Sequence, residues 1–406
     1  MKRCRNLTLR VTWREIYAIS HSLPVLLVLV GGVFLYGLLY NYMYAPNVVH
    51  EVPIAVVDHS QSALSRQYIR WMDATPGIQV TYRTQEMPEA KHLMQQAKVY
   101  GILYLPRDLT QHLYDGRPAV YPVYASTDAF LYYETIEKAN LEVMEAIDDA
   151  YRMQFIATQS LPDLMATATQ SPVNVVGTAL YNPTEGYGTY LIPSVLMIII
   201  FQTLMLLVAM MTGDEHRLHL LFPYSRLHST PLRTALSLVC GKSLTYILLY
   251  ALFSLFLLGI LPQLFAIPHR ASALSLLVLL ITNLCSTSFL GLALSRWYTD
   301  AEAPVLLITF FSIGFIFLSG VSYPFELMPW YWQCAHYLIP AAPAVLAFVE
   351  LNSMGATLTD VAPNIIALLL QTVIYFVGAT YTYRYKLVNI NRRESLPQND
   401  SHPFVS

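Results

Sequence analysis

The sequence predicts an α-helical membrane protein with six transmembrane helices and an α/β domain inserted after the first of them. Three observations carry this prediction. Six apolar stretches are long enough to cross a bilayer, whose hydrocarbon core of about 30 Å requires about 20 mainly apolar residues. A long, mostly polar segment, residues 45–188, separates the first stretch from the other five. Overall, 55% of the residues are hydrophobic and only 12% are charged, which fits a chain that is half membrane and half soluble.

The first predicted span is an anchor, and the other five form a domain at residues 189–384. The six spans are Leu23–Tyr42, Leu191–Thr212, Leu236–Leu261, Ala271–Ser295, Ala303–Gly320 and Ala362–Tyr381. The first stretch resembles a signal peptide because it follows a basic leader. Its apolar run is too long, however, and it ends in a tyrosine-rich run without a small-residue cleavage site. We therefore predict an uncleaved anchor at residues 22–44.

The leader itself, residues 1–21, is predicted to be a cytoplasmic interfacial helix. A helix over Leu7–Ser20 places four large side chains on one face: Leu9, Trp13, Ile16 and Tyr17. Arg10 and Arg14 lie off that face. Basic helices with an apolar, tryptophan-bearing face lie along membrane surfaces. The alternative is a leader that is merely basic.

Lys and Arg residues predict the orientation of the spans. Fourteen of them flank the spans on the side of the N-terminus, and only Arg270 lies in the two short loops of the other side. Positive residues favour the cytoplasmic side. We therefore predict that both termini, the loop at residues 213–235 and the tail at residues 385–406 are cytoplasmic. The net charge of −2 gives no indication of nucleic-acid binding.

The inserted segment, residues 45–188, shows an α/β pattern. The predicted strands are Val52–Asp58, Ile78–Tyr82, Val99–Leu105 and Ala119–Ala125, and Ile78–Tyr82 alternates like an edge strand. The predicted helices are Ser62–Asp73, Met87–Ala97, Pro106–Tyr114, closed by Gly116, and an acid-rich segment at Tyr132–Thr167. The acidic residues are either a solvated face or a docking surface for a periplasmic partner.

No catalytic or cofactor site is predicted in this chain. Its four cysteines and the histidines of the inserted segment lack the spacing of a disulfide framework or metal site. Gly241-Lys242-Ser243 resembles the end of a Walker A motif, but Leu236 stands where that motif needs a glycine. The chain is therefore predicted to be no enzyme and to bind no cofactor, so any ATP must be hydrolysed by a separate chain.

The predicted spans lack charged residues in their interiors. Lys242 lies near a cytoplasmic end, where its side chain is predicted to snorkel. The polar residues inside are mild ones: Gln202, Asn283 and Gln371. Ion-coupled transporters usually bury charges within their spans as relays. The sequence therefore favours an external energy source, and its apolar interior suits a hydrophobic or amphipathic cargo.

Two segments outside the spans are distinctive. In the loop at residues 213–235, a polar cluster precedes Leu218–Leu227, which can form a short amphipathic helix that a motor subunit could hold. The segment at residues 321–350 is apolar but broken by prolines into pieces too short to cross. Irregular backbone at membrane depth needs protein or water around it. We predict a re-entrant pair of short helices at the outer surface, with Trp330 and Trp332 in the aromatic belt.

In their order and spacing, these motifs resemble the membrane subunit of type-2 ABC exporters, in the subgroup with a large domain after the first span. The motifs are Val52–Asp58, Gly101–Pro106, Gly116–Pro118, Tyr181–Pro183, Leu191–Pro193, Gly241-Lys242, and Ser319-Gly320 through Trp330 with Tyr337–Pro340. The family often carries an Arg-Glu-Arg-Glu-like run followed by Gly-Thr after the second span. Here Asp214–Arg217 holds part of that charge without the Gly-Thr.

The resemblance implies candidate residues and partners. The residues expected to couple to the ATPase are Arg10, Arg14, Asp214, Glu215, His216, Arg217 and Arg226. The outer re-entrant segment is marked by Ser319, Gly320, Pro324, Pro329, Trp330 and Pro340. The implied assembly contains ABC ATPase subunits, a second permease half, identical or homologous, and a periplasmic membrane-fusion adaptor, in a bacterial inner membrane. The competing hypothesis is a non-transporting membrane anchor whose external domain binds a ligand or partner.

Overall fold

The computed structural model describes residues 2–114, 120–158, 181–182, 186–227, 230–265, 267–298, 300 and 302–394. The chain divides into two compact units, Met1–Asn47 with Ala179–Ser406, and Val48–Thr178. The first unit begins with helices α1, Lys2–His21, and α2, Leu23–Met43, which contains a π-helical stretch at Leu27–Leu35. The two helices are separate because Ser22 is extended and Pro24 starts a new first turn.

The inserted unit, Val48–Thr178, is built on a four-stranded sheet. Its elements are β1 Val52–Asp58, α3 Ala63–Ala74, β2 Ile78–Thr84, α4 Met87–Gln95, β3 Gly101–Leu105, α5 Leu109–Tyr114, β4 Val123–Ala125 and α6 Phe130–Thr158. The strand order is β2-β1-β3-β4. Strand β1 pairs in parallel with β2 and β3, and β4 is antiparallel to β3. A strand lies within or overlaps each predicted one, with β2 at an edge as its alternation indicates. Strand β3 starts at Gly101 rather than Val99, and only Val123–Ala125 of the predicted Ala119–Ala125 is a strand; Ala119 lies outside the described residues.

Both faces of this sheet are covered. Val52, Ile54 and Val56 of β1 pack with buried residues of α3 and α6. Ala55 and Val57, which alternate with them, pack with Ala90 of α4 on the other face. The sheet is therefore the middle layer of an α/β unit. Helix α5 begins three residues later than predicted, and the end of the predicted Tyr132–Thr167 segment lies outside the described residues.

The remaining helices complete the first unit. They are α7 Tyr187–Arg217, α8 Phe222–Ser225, α9 Pro231–Leu264, α10 Ala273–Leu294, α11 Glu302–Leu318, α12 Trp330–His336, α13 Ala341–Asn352 and α14 Ala362–Glu394. Five helices of the described chain, α2, α7, α9, α10 and α14, are long and apolar enough to cross a membrane. A sixth is present if α12 and α13, which are bent by 85°, count as one span.

Two features depart from the predicted spans. The predicted fifth span, Ala303–Gly320, is the 17-residue helix α11, at the lower limit of the roughly 17–25 residues that cross a bilayer. The predicted helix at Leu218–Leu227 is reduced to the single turn of α8. Among the five candidate spans of the described chain, α7 is the most deeply buried, with 89% of its most apolar stretch inside the protein. A helix that is apolar all round is expected to be buried on all sides.

The end of α2 and the start of α7 are joined by one side chain, that of Asn47. Its Oδ1 accepts a hydrogen bond from the Thr189 backbone N–H (2.9 Å), and its Nδ2 donates to Thr189 Oγ1 (2.9 Å). Its backbone carbonyl accepts from the Tyr187 N–H. These bonds join the chain on either side of the insertion, because Asn47 directly precedes the inserted unit, Val48–Thr178, and Tyr187 and Thr189 follow it.

Candidate functional site

Helix α1 packs against α9 through a face that contains a carboxylate. Val11, Glu15 and Ile19 are buried, whereas Trp13 and Tyr17 are exposed. Residues four apart lie on one side of a helix, so a single stripe of α1 is packed and the opposite stripe is not. The exposed tryptophan and tyrosine fit the predicted interfacial helix.

The two helices approach most closely at Gly241. Thr12 Oγ1 donates to the Gly241 carbonyl (3.0 Å), and Thr245 Oγ1 donates to the Thr12 carbonyl (3.3 Å). A Cβ atom at residue 241 would lie 2.8 Å from the Thr8 carbonyl oxygen, so only glycine allows this approach. Gly241 and Lys242 lie inside a helix rather than in a phosphate-binding loop.

At this crossing, four charged side chains meet; we call Arg14, Glu15, Glu215 and Lys242 the ionic cluster. Lys242 Nζ lies 2.8 Å from Glu15 Oε1 and 3.0 Å from Glu215 Oε1. Arg14 Nη2 lies 3.0 Å from the same two oxygens. The Lys242 side chain is fully buried and the two carboxylates are almost so. Buried charges are tolerated when paired, and two cations here balance two anions.

Tyrosines supply a further hydrogen bond to each carboxylate. Tyr246 OH donates to Glu15 Oε2 (3.3 Å), and Tyr383 OH donates to Glu215 Oε2 (3.1 Å). Tyr383 belongs to α14, so the ionic cluster joins α1, α7, α9 and α14. Lys386, one turn further along α14, lies over the Tyr383 ring and donates to Ser295 Oγ just after α10.

Arg14 extends the ionic cluster to the loop that follows α7. Its Nη1 donates to the Leu220 carbonyl (3.3 Å), and its guanidinium lies 5.1 Å from the centre of the Tyr224 ring. Burial alone would lower the pKa of Arg14, but the carboxylates of Glu15 and Glu215 outweigh it and raise that pKa. Arg14 therefore stays a cation that joins α1 and Glu215 of α7 to this loop.

At the opposite end of α7 lies a proline-interrupted region, residues 319–352, which we call the bent segment. A single 3₁₀ turn, Phe325–Leu327, precedes α12 and α13. Gly320 has a φ of +84°, which glycine adopts readily. His336 is buried, with Nδ1 2.7 Å from the Leu318 carbonyl, and it packs on the Phe325 ring. Trp330, at the start of α12, is 75% exposed.

A comparison with known families identifies the chain. A model of the ABC-2 family transporter proteins matches residues 21–381. The chain belongs to the ABC-2 family of transporters. This membership makes it the membrane permease subunit of an ABC transporter and implies an ABC ATPase as its partner. A search of curated proteins found no match.

The structure brings together only part of the predicted coupling set of this permease. Arg14 and Glu215 meet in the ionic cluster. Asp214 pairs instead with Arg217 at 3.1 Å, one turn along α7. Arg226 lies over the Phe222 ring of α8, whereas Arg10 and His216 are exposed. The predicted residues therefore divide into one pair within the ionic cluster, in which Glu215 is buried and Arg14 is partly exposed, and a group on the surface of the same end of the permease.

One prediction about the span interiors is wrong. Lys242 does not snorkel to the membrane surface, because Glu15 and Glu215 hold its ammonium group inside the helix bundle. Glu215 lies outside the predicted span Leu191–Thr212, in the last turn of α7, which continues to Arg217. The permease thus has a buried ionic pair where hydropathy indicated mild polarity.

Three residues of this site are not among the predicted ones: Glu15, Tyr246 and Tyr383. A signal for the first was present, because Glu15 is the single acidic residue among the basic ones of the leader. It also stands one helical turn after Val11, on the side away from Trp13. Tyr246 follows Lys242 by four residues, on the same helix face. For Tyr383, no local pattern marks a contact with α7.

Proposed function

We propose that this permease subunit belongs to an ATP-driven exporter and that the ionic cluster couples its spans to the ATPase. The observation that carries the proposal is the set of contacts made by Arg14. This one side chain contacts the loop after α7 through Leu220 and Tyr224, and the carboxylate of Glu215. A force applied to that loop therefore reaches α1, α7 and α9 together.

The energetics of the ionic cluster favour movement as a unit. Separating a buried ion pair leaves an uncompensated charge, at a cost of about 3–5 kcal/mol. The four helices that meet at the cluster would therefore shift together more readily than they would separate. ATP binding to the partner subunit changes the equilibrium between two permease conformations only through its different affinity for each. Coupling between the ATPase and the spans requires a rigid connection where the ATPase docks, and the ionic cluster would provide it.

The excess of Lys and Arg on the N-terminal side supports a cytoplasmic position for this end. The ionic cluster joins α1, the end of α7, the first half of α9 and the later part of α14, so these regions lie on one side of the bundle. By the positive-inside rule, this side would face the cytoplasm of a bacterial inner membrane, with both termini there. The inserted unit would then be periplasmic, and the bent segment would lie at the outer surface.

The remaining parts of the proposal concern cargo and assembly. A hydrophobic or amphipathic substrate, drug-like or lipid-like, fits the apolar spans. A second permease half, identical or homologous, would complete the transmembrane pathway, with ATP and Mg held by two ATPase subunits. The inserted unit would contact a periplasmic membrane-fusion adaptor.

Gentle purification in detergent, followed by mass spectrometry of the co-eluting proteins, tests this proposal. We expect an ATPase subunit with its own Walker A motif, and vanadate-sensitive export in cells that contain both. Substitution of Arg14 by Gln should weaken the association, whereas substitution of the exposed Arg83 of β2 should not. Recovery of the permease alone, under conditions that preserve ABC complexes, would favour a non-transporting anchor whose inserted unit binds a ligand.

A further inference from the structure

A buried histidine joins α12 of the bent segment to the end of α11. His336, the last residue of α12, is fully buried. Its Nδ1 lies 2.7 Å from the carbonyl oxygen of Leu318, the last residue of α11. The last four carbonyls of a helix lack partners within that helix, so the imidazole satisfies one of them. His336 therefore holds α12 against α11 at the point where the chain leaves α11 through Gly320.

This hydrogen bond determines which ring nitrogen of His336 carries the hydrogen. A carbonyl oxygen only accepts, so Nδ1 is the donor. In a neutral imidazole the other nitrogen, Nε2, is then a bare acceptor. In the described part of the chain, Nε2 of His336 has no hydrogen-bond partner, although it is buried. Nε2 is therefore the atom to which a proton would add as the pH falls.

The contacts of this ring are mainly aromatic. The centre of the Phe325 ring lies 4.7 Å from that of His336, and the centre of the Tyr337 ring lies at 5.0 Å. Gln333, in the preceding turn of α12, donates from Nε2 to the Met328 carbonyl (3.0 Å). The 3₁₀ turn and α12 are thus packed together around the imidazole, with no charge in contact with it.

Few charged groups lie on the elements around His336. Helix α11 carries one, Glu302 at its far end; α13 carries Glu350, and the 3₁₀ turn carries Glu326, which is exposed. Among the described residues, no carboxylate pairs with His336. The other ionisable groups of residues 319–338, and of the parts of α7 and α14 that bond to them, are phenols and a thiol: Tyr190, Tyr323, Tyr331, Cys334, Tyr337 and Tyr375.

A proton on Nε2 of His336 would therefore destabilise the packed arrangement. The negative end of α11 would attract the imidazolium, but this attraction is weaker than the cost of burying a charge without a counter-ion. Turning the ring into water removes that cost. The open form thus binds the proton more tightly than the packed form, so the packed form loses stability as the pH falls below about 6.5, the ordinary pKa of histidine.

We propose that His336 is a pH-sensitive switch of the bent segment: a proton on its free ring nitrogen releases α12 from the end of α11. The bond from Nδ1 to the Leu318 carbonyl breaks as the imidazolium turns outward. The chain between Gly320 and Pro329 contains only one 3₁₀ turn, so it can follow this movement. The switch does not require the proposed export function. The proposed orientation decides only that the pH outside the cytoplasm would operate it.

Hydrogen–deuterium exchange of the full-length permease in nanodiscs tests the proposal. The rates are corrected for the intrinsic pH dependence of amide exchange. Between about pH 7.5 and pH 5.5, the amides of α12 and of residues 319–329 should lose protection about tenfold, as expected when a histidine gains its proton only in the open form. The amides of α10, a helix without a histidine, should keep their protection.

Two glutamine variants identify the responsible group. His336→Gln retains an N–H that can donate to the Leu318 carbonyl but cannot take up a proton, so the pH dependence should disappear. His269→Gln replaces an exposed histidine in the loop before α10 and should leave the tenfold loss unchanged. If the first variant does not fold, exchange of the imidazole C2 hydrogen in the unaltered permease decides instead. At about pH 7.5, His336 should exchange several-fold more slowly than His269, and the ratio should approach one by about pH 5.5.

Four results would overturn the proposal. Loss of protection that persists in His336→Gln would assign the response to Glu326 or Glu350. An equal loss in α10 would mean general unfolding in acid. Unchanged protection of α12 in the unaltered permease, or a C2 exchange ratio that does not change with pH, would mean that the ring stays buried throughout this range.

Discussion

The ionic cluster and the bent segment lie at opposite ends of α7 and are held by different forces. Glu215 anchors the cluster, whereas Tyr190, near the other end, donates from its hydroxyl to the Val321 carbonyl of the bent segment. At 1.5 Å per residue, these two residues of α7 are about 38 Å apart. The cluster depends on four charges, while the bent segment depends on side chains that bond to backbone carbonyls.

The two ends of α7 differ in how much stability the loss of a single interaction would cost. In the bent segment, Gln371 Nε2 and Tyr375 OH donate to the carbonyls of Tyr337 and Leu338. Each neutral bond of this kind contributes about 1 kcal/mol, so losses there are gradual. In the ionic cluster, removal of one member leaves a buried charge without its partner, and the cost is concentrated in one step. The ionic cluster should therefore lose its structure in one step when a member is removed, whereas the bent segment should weaken gradually.

The largest expected effect comes from the centre of the ionic cluster. Lys242→Met should lower the free energy of unfolding by about 3–5 kcal/mol, because Glu15 and Glu215 would remain buried with too little positive charge. Equilibrium unfolding in mixed micelles measures this loss. Arg10→Met, which removes an exposed cation from α1, should change it by less than about 0.5 kcal/mol.

A double variant tests whether charge balance is the cause. Lys242→Met combined with Glu15→Gln removes one charge of each sign, and should be more stable than Lys242→Met alone. The single variant Glu15→Gln is measured as well. If the double variant's loss in free energy of unfolding equals the sum of the two single losses, packing rather than charge holds the cluster, and the proposed difference between the two ends of α7 is wrong.

A smaller loss is expected where α1 crosses α9. Gly241→Val should cost about 1–3 kcal/mol, because the added atoms would overlap the Thr8 carbonyl and the Val11 side chain. The same unfolding measurement applies, and cross-linking between cysteines placed on α1 and α9 should report a wider separation. Unchanged cross-linking would mean that the helices accommodate the side chain without moving apart.

The bent segment should respond more weakly to a comparable change. Gly320→Ala should lower the free energy of unfolding by about 1 kcal/mol, because a φ of +84° is unfavourable for residues with a Cβ. The added Cβ would also lie only 3.0 Å from the Leu346 side chain. Gly314, in the preceding helix α11, is the control. An added Cβ there would meet open space, so Gly314→Ala should be neutral or stabilising by up to about 1 kcal/mol. Equal losses in the two variants would show that the φ of residue 320 does not matter.

The smallest effect on stability should come from the surface near the ionic cluster. The double variant Arg217→Glu with Arg226→Glu should change the free energy of unfolding by less than about 0.5 kcal/mol. In proteoliposomes with the ATPase, however, it should separate ATP hydrolysis from transport. Arg66→Glu with Arg83→Glu, in the inserted unit, is the matched control. If transport remains coupled in both variants, docking depends on other residues.

The sequence predicted best those helices and strands that depend on local patterns of apolar residues and prolines. Runs such as Leu23–Met43 and Ala273–Leu294 carry their own signal, because a bilayer demands continuous apolar length. The prolines between Pro324 and Pro340 likewise predicted short helices rather than a span, and α12 and α13 are separate helices. The strands of the inserted unit follow the same logic of local alternation.

The ionic cluster could not be predicted in the same way. Lys242 meets Glu15 and Glu215, which are distant from it in the sequence, and no periodicity within one helix reports such a contact. Near the end of an apolar run, a lysine that reaches the surface and a lysine that is buried with partners look the same. Only the crossing at Gly241, which brings α1 onto α9, decides between them.

The hydrogen bonds of Asn47 have a consequence for the whole insertion. Asn47 binds Thr189, so contacts within the helical unit bring together the two ends of the chain that leads to and from the insertion. The entropic cost of closing this loop is therefore offset by the helical unit and not by the inserted unit. The site thus accepts any segment whose ends lie close together. A short flexible linker in place of the inserted unit, Val48–Thr178, should leave the helices folded, and a foreign domain with adjacent termini could be carried there.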